Sequence, residues 1–218
     1  MKSKILGLLA LGLLTGPMAA QATALDTTFA GGNVYAGNMF DVTVASNDLS
    51  VTGIDVHLGL IDGTPGGGAG YPAQISVYSR VGGYSGFQTD ASAWNLLSQS
   101  VVTSGGVGNR TFVDVPNFLL ESGTTYGFYV TVTNFNSSNP LFYMIYSNSI
   151  SSYSNADLSV SAGLGRGAPD FSGSFFENRV WNGAIYYDAV SAVPEPGSLA
   201  LLGLGLAGLG LSRRRRAA

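Results

Sequence analysis

The chain contains no cysteine. Disulfides, thiolate metal sites, iron–sulfur clusters and cysteine nucleophiles are therefore excluded, and a stable fold must come from burial or a bound ion. Histidine is almost as scarce, with His57 alone. Charged residues make up only 11% of the sequence, and the basic ones crowd the ends. Lys2, Lys4 and Arg213 to Arg216 sit there, leaving Arg80, Arg110, Arg166 and Arg179 in the middle against twelve of the thirteen acids, a net charge of −8. A body this acidic repels phosphate backbones, so nucleic acid is excluded as a partner.

Long helical periods are missing from the middle as well. What is present is a period of two. Met39 to Val44 puts Phe40, Val42 and Val44 on one face. Val51 to Leu58 puts Ile54, Val56 and Leu58 on one face and Asp55 and His57 on the other. Ala73, Ile75 and Val77 repeat the pattern. Such alternation marks half-buried strands. Further strands are expected at Trp94–Val102, Thr111–Val115, Tyr126–Thr133, Leu141–Tyr146, Leu158–Ala162 and Val180–Tyr187. Turns rich in Gly, Asn and Ser separate them, at 62–70, 82–83, 104–109 and 134–140, and SNSISSYS at 147–154 reads as a surface loop. About ten short strands define an all-β fold, an antiparallel β-sandwich of jelly-roll type.

The N-terminus reads MKSK, then ILGLLALGLLTGPMAA, then QATALD. A basic start, an apolar run and small residues fit a secretory signal peptide over residues 1–24, with cleavage after Ala22 or Ala24. The sandwich domain then occupies 25–192, long enough for one real core.

Candidate chemistry in the body is sparse. His57, on the polar face of its strand beside Asp55, reads as a solvated histidine, and no G-x-S-x-G elbow supplies a nucleophile. Catalytic residues are therefore expected to be none. A glycosidase needs two carboxylates at a set distance. The body has two glutamates, Glu121 in a turn and Glu177 two residues from Arg179, where pairing is the plain reading. No motif demands a cofactor. Calcium is the one ion worth weighing: Asp62, Asp90, Asn109, Asp157 and Asp170 lie in or near glycine-rich loops, without a D-x-D-x-D-G pattern, and ordinary Asx-turns explain them. Trp181 and Tyr126 are expected in the core. Tyr71, Tyr84 and Trp94 are expected to offer exposed rings to a sugar.

The C-terminus reads VPEPGSLALLGLGLAGLGLSRRRRAA. Gly197 to Leu211 spans fifteen residues, five of them glycine. As a helix it would rise about 22 Å, short of the roughly 30 Å of bilayer hydrocarbon. Arg213, Arg214, Arg215 and Arg216 resist translocation and would stay cytoplasmic, leaving the body outside. Pro194-Glu195-Pro196 just before the span stays extended, as a processing enzyme needs.

These three elements, over residues 193–216, resemble the PEP-CTERM sorting signal of exopolysaccharide-producing Gram-negative bacteria. The resemblance implies recognition of Pro194, Glu195 and Pro196 by exosortase, a membrane enzyme, and loss of the span and arginines during export. It implies a transient inner-membrane intermediate, then residence at the cell surface or in the extracellular matrix, alongside polysaccharide. The expected role is structural or adhesive. The alternatives are an enzyme acting on that polysaccharide, a calcium-stabilised carbohydrate-binding module, and self-association through poorly charged sheet edges.

Overall fold

The computed structural model describes residues 23–60, 67–133 and 142–190. The expected signal peptide up to residue 22, Asp62, the whole 134–140 turn and the whole C-terminal signal lie outside the described residues.

The described chain forms fourteen strands and one 3₁₀ turn, Ala91–Ala93. In order they are β1 (Thr23–Asp26), β2 (Asn33–Tyr35), β3 (Gly37–Val44), β4 (Leu49–Leu60), β5 (Pro72–Val81), β6 (Asn95–Thr103) and β7 (Arg110–Leu120). Then follow β8 (Thr125–Val132), β9 (Phe142–Asn148), β10 (Tyr153–Ser154), β11 (Leu158–Val160), β12 (Gly163–Arg166), β13 (Phe175–Trp181) and β14 (Gly183–Ala189). Among the described residues, no helix is long and apolar enough to cross a membrane.

All strand pairings are antiparallel. A smaller sheet runs β1-β14-β4-β7 and a larger one β9-β13-β12-β3-β8-β5-β6, with β2 beside β9 and β11 beside β3. β4 joins the two. Its first nine residues lie between β14 and β7, while Leu58–Leu60 pair with β9. The inward side chains of both sheets make one core: Val51, Ile54, Val56, Val113 and Ile185 from the smaller, Phe40, Val42, Ile75, Val77, Phe128 and Val130 from the larger. Trp181 stacks on Phe40 at 4.7 Å between ring centroids within it. This is the antiparallel sandwich that the alternating pattern called for.

Two parity changes show how the sequence keeps the core apolar. Val51 and Ile54 both face inward although they differ by three, because a bulge between Val51 and Gly53 absorbs one residue. The stretch VWNGAIYY is two strands rather than the single one expected. β13 ends at Trp181 against β9 of the larger sheet, and β14 starts at Gly183 against β4 of the smaller one. The chain switches sheets at Asn182, fully buried, whose Oδ1 accepts from the Ser147 hydroxyl at 3.0 Å. Gly183 permits this corner: a Cβ there would lie 2.2 Å from the Trp181 ring and 2.3 Å from the Asp55 carbonyl.

Candidate functional site

Alternation gives the smaller sheet an outer face whose rows follow from register. One row places Asp26 of β1, Ala184 of β14, Asp55 of β4 and Phe112 of β7 side by side. The next holds Ala24, Tyr186, Gly53 and Asp114. In a third, His57 pairs with Arg110. These side chains are opposite in parity to the inward Leu25, Ile54, Val113 and Ile185, so they point away from the core.

Asp55 is the hub. It is only 3% exposed, and its Oδ2 accepts from the Tyr186 hydroxyl at 2.7 Å and from Arg110 Nη1 at 3.1 Å. Arg110 Nη1 also donates to Asp26 at 2.6 Å, and the Phe29 ring lies 4.8 Å from its guanidinium carbon. The hydrogen bond to Asp26, with support from Asp55, pushes the guanidinium pKa above its ordinary value. The bond to the Asp55 carboxylate, before burial, raises that of the Tyr186 phenol. Above the hub, Phe112 is 54% exposed, its ring edge-on to Tyr186 at 5.7 Å.

His57 is not the solvated histidine that its strand position suggested. It is 2% exposed, beneath the Phe29 ring at 5.3 Å, and its Nε2 accepts from the Gly108 amide at 2.7 Å. Burial holds the imidazole below its usual pKa, which keeps Nε2 an acceptor near neutral pH. A loop glycine and a ring from the N-terminal segment supply the cover. Neither belongs to the strand whose period was read.

The three aromatic residues singled out for sugar contact do not come together. Tyr71 is 44% exposed. Tyr84 is half-buried, its amide donating to Asp41 Oδ1 at 2.8 Å. Trp94 corrects the expectation of an exposed ring: it is 7% exposed, packed with Met39, Tyr129, Leu164 and Phe171 in a second apolar cluster. Its Nε1 donates to the Phe87 carbonyl at 2.9 Å. Trp181 and Tyr126 are buried, as expected.

The calcium candidates among the described residues make hydrogen bonds within the chain. Asp90 Oδ1 accepts from the Ser92 amide and hydroxyl, and Asp170 Oδ1 does the same for Ser172. Asp157 Oδ2 accepts from the Tyr187 hydroxyl at 3.0 Å, and Asn109 Nδ2 reaches the Val107 carbonyl at 3.5 Å. Among the described residues, no group of three or more His, Asp or Glu is placed to hold a metal ion. Glu121 closes the turn into β8, its amide donating to the Tyr126 hydroxyl at 3.0 Å. Arg179 donates to the backbone carbonyls of Glu177 and Asn178, not to the Glu177 carboxylate as its neighbourhood suggested.

The last described residue, Val190, donates its amide to the Asp48 carbonyl at 2.9 Å. Beyond it, residues 192–216 match the PEP-CTERM protein-sorting motif. The match covers Pro194, Glu195, Pro196, the apolar stretch and Arg213 to Arg216. The chain thus carries a sorting signal that marks it for export and for processing by exosortase, a membrane enzyme. No curated protein is similar to the chain in sequence. Among solved structures, it is similar to the T13 particle of the virus IBDV at 12% identity and a TM-score of 0.27, over 96% of this chain and 51% of that one. The infectious bursal disease virus Gt strain gives 12% identity and a TM-score of 0.26, over 94% and 55%. The chain spans about half the length of those viral chains. A likeness at these scores says nothing about what it does.

Proposed function

We propose that the sandwich is the exported cargo of the C-terminal signal, and that it works outside the cell as a structural or adhesive protein held against extracellular polysaccharide. In this reading the leader directs export, exosortase acts at Pro194-Glu195-Pro196 after a transient stay in the inner membrane, and the body binds rather than catalyses. The observation that carries it is the sorting motif at 192–216, three residues beyond the end of β14 at Ala189. With so short a connection, the only folded unit described is the one the signal delivers. The acidic, cysteine-free body suits a protein that needs neither disulfide chemistry nor a nucleic-acid partner.

The test is fractionation of cells making the wild-type chain or a variant with Pro194, Glu195 and Pro196 all changed to Ala. The wild type is expected at the cell surface and in the matrix, the variant stalled in the membrane fraction. Identical distribution of the two would refute the reading.

A further inference from the structure

We infer that the outer face of the smaller sheet is a binding site for a neutral polysaccharide, with a sugar ring seated on Phe112 and its hydroxyls held by Arg110 and Asp114. The inference rests on the polysaccharide-associated reading above and gives it a place and a ligand class.

Phe112 is the first reason. It belongs to TFVDV, where Val113 and Val115 turn inward, so the ring stands on the solvent side of β7. A large aromatic left 54% exposed in the middle of a strand contributes little to folding and offers a flat apolar surface. Gly53 shapes its seat. A Cβ at that position would lie 2.4 Å from two atoms of the Phe112 ring, so the glycine lets the ring lie across β4. Tyr186 then closes one side at 62° to it.

The polar partners are the second reason. A sugar presents an apolar C–H face rimmed by hydroxyls that both donate and accept. Here the face has an aromatic plate, carboxylates that accept and a guanidinium that donates, and bonds to charged groups are the stronger kind. Arg110 and the buried carboxylate beside it are fixed beforehand. Asp55 is held by Tyr186 and Arg110, and Arg110 by Asp26 and Asp55 through a single nitrogen, Nη1. Its side chain remains 46% exposed, with Nε and Nη2 free of that work. Side chains already ordered lose little entropy on binding.

Charge selects the ligand. Asp26, Asp55 and Asp114 outnumber Arg110 three to one on this face, within a body of net charge −8. Uronate or sulfate polymers are repelled and neutral hydroxylated chains are not. Two other aromatic rings are less suited: Tyr35 is stacked on Phe176 at 4.5 Å, and half-buried Tyr84 is tied down beside Asp41.

The test is affinity gel electrophoresis of the processed protein through dextran, hydroxyethylcellulose and xylan, with alginate and polygalacturonate as acidic polymers. Phe112→Ala and Tyr71→Ala are run beside it, and sedimentation reports the oligomeric state of each. The expected result is retardation by at least one neutral polymer, weakened at least about tenfold by Phe112→Ala and unchanged by Tyr71→Ala. Neutral binding that survives Phe112→Ala would overturn the site and leave the polysaccharide reading standing. Binding to acidic polymers alone would overturn the ligand class. Binding to none of them would overturn the inference together with that reading. A dimer abolished by Phe112→Ala would reassign the face to a second copy of the chain.

Discussion

Over the larger sheet, Trp94 and Phe171 come down from loops onto Met39, Tyr129 and Leu164 and seal the outward side chains into a second apolar cluster. Over the smaller sheet Phe112 stands in the open on its glycine, with exposed Arg110 and half-buried Tyr186 beside it over the buried Asp55 carboxylate. Both faces carry aromatics, yet one uses them for stability and the other leaves Phe112 available. Cover, rather than composition, separates a structural aromatic from one that can meet a ligand.

The comparison breaks most visibly at the two rings. Trp94→Ala removes a buried indole and its bond to the Phe87 carbonyl, and is expected to cost about 3 kcal/mol or more in urea unfolding. Phe112→Ala is expected to cost less than about 1 kcal/mol. Equal losses would erase the distinction. Next comes Asp55→Ala, which strands the Tyr186 hydroxyl and loosens Arg110; a loss of about 1–3 kcal/mol is expected by the same measurement.

A smaller effect depends on pH. Burial holds the His57 pKa below its unfolded value of 6.5, so on acidification the unfolded chain takes up a proton that the folded chain resists. Stability is therefore full above that value and falls as pH drops through it toward the folded pKa, by no more than about 1.4 kcal/mol per pH unit. Because His57 is the only histidine, His57→Gln should flatten the denaturation midpoints between neutral and mildly acidic pH. The smallest stability effect is expected for Gly53→Ala. The new methyl meets the movable end of the Phe112 ring, with the Val113 carbonyl at 3.2 Å, so unfolding should shift by less than about 1 kcal/mol while polysaccharide retardation changes.

What the sequence made legible follows from period and order. Phe40, Val42, Val44, Ile54, Val56 and Leu58 could be placed in a core because alternation is local. The tail could be read because its three elements stand consecutively along the chain. Trp94 could not: nothing beside it in the chain shows its cover, because the covering residue, Phe171, lies in a distant loop. His57 and Asp55 failed for the same reason, since Phe29, Gly108, Arg110 and Tyr186 arrive from other strands and loops. Phe112 did leave a signal, an aromatic beside Asp114 on the polar side of an alternating strand. Asn182 left none, because a corner between sheets continues the strand pattern on both sides.

Neither face matters to polysaccharide unless the sandwich reaches it. Intact-mass measurement of the protein recovered from the cell surface tests that most directly. A chain trimmed at both ends is expected. Its N-terminus should be Thr23, since β1 pairs from Thr23 with Tyr187 and cleavage after Ala24 would remove half that strand, and it should lack Arg213 to Arg216. Recovery of the full 22.5 kDa chain with both ends intact would contradict it.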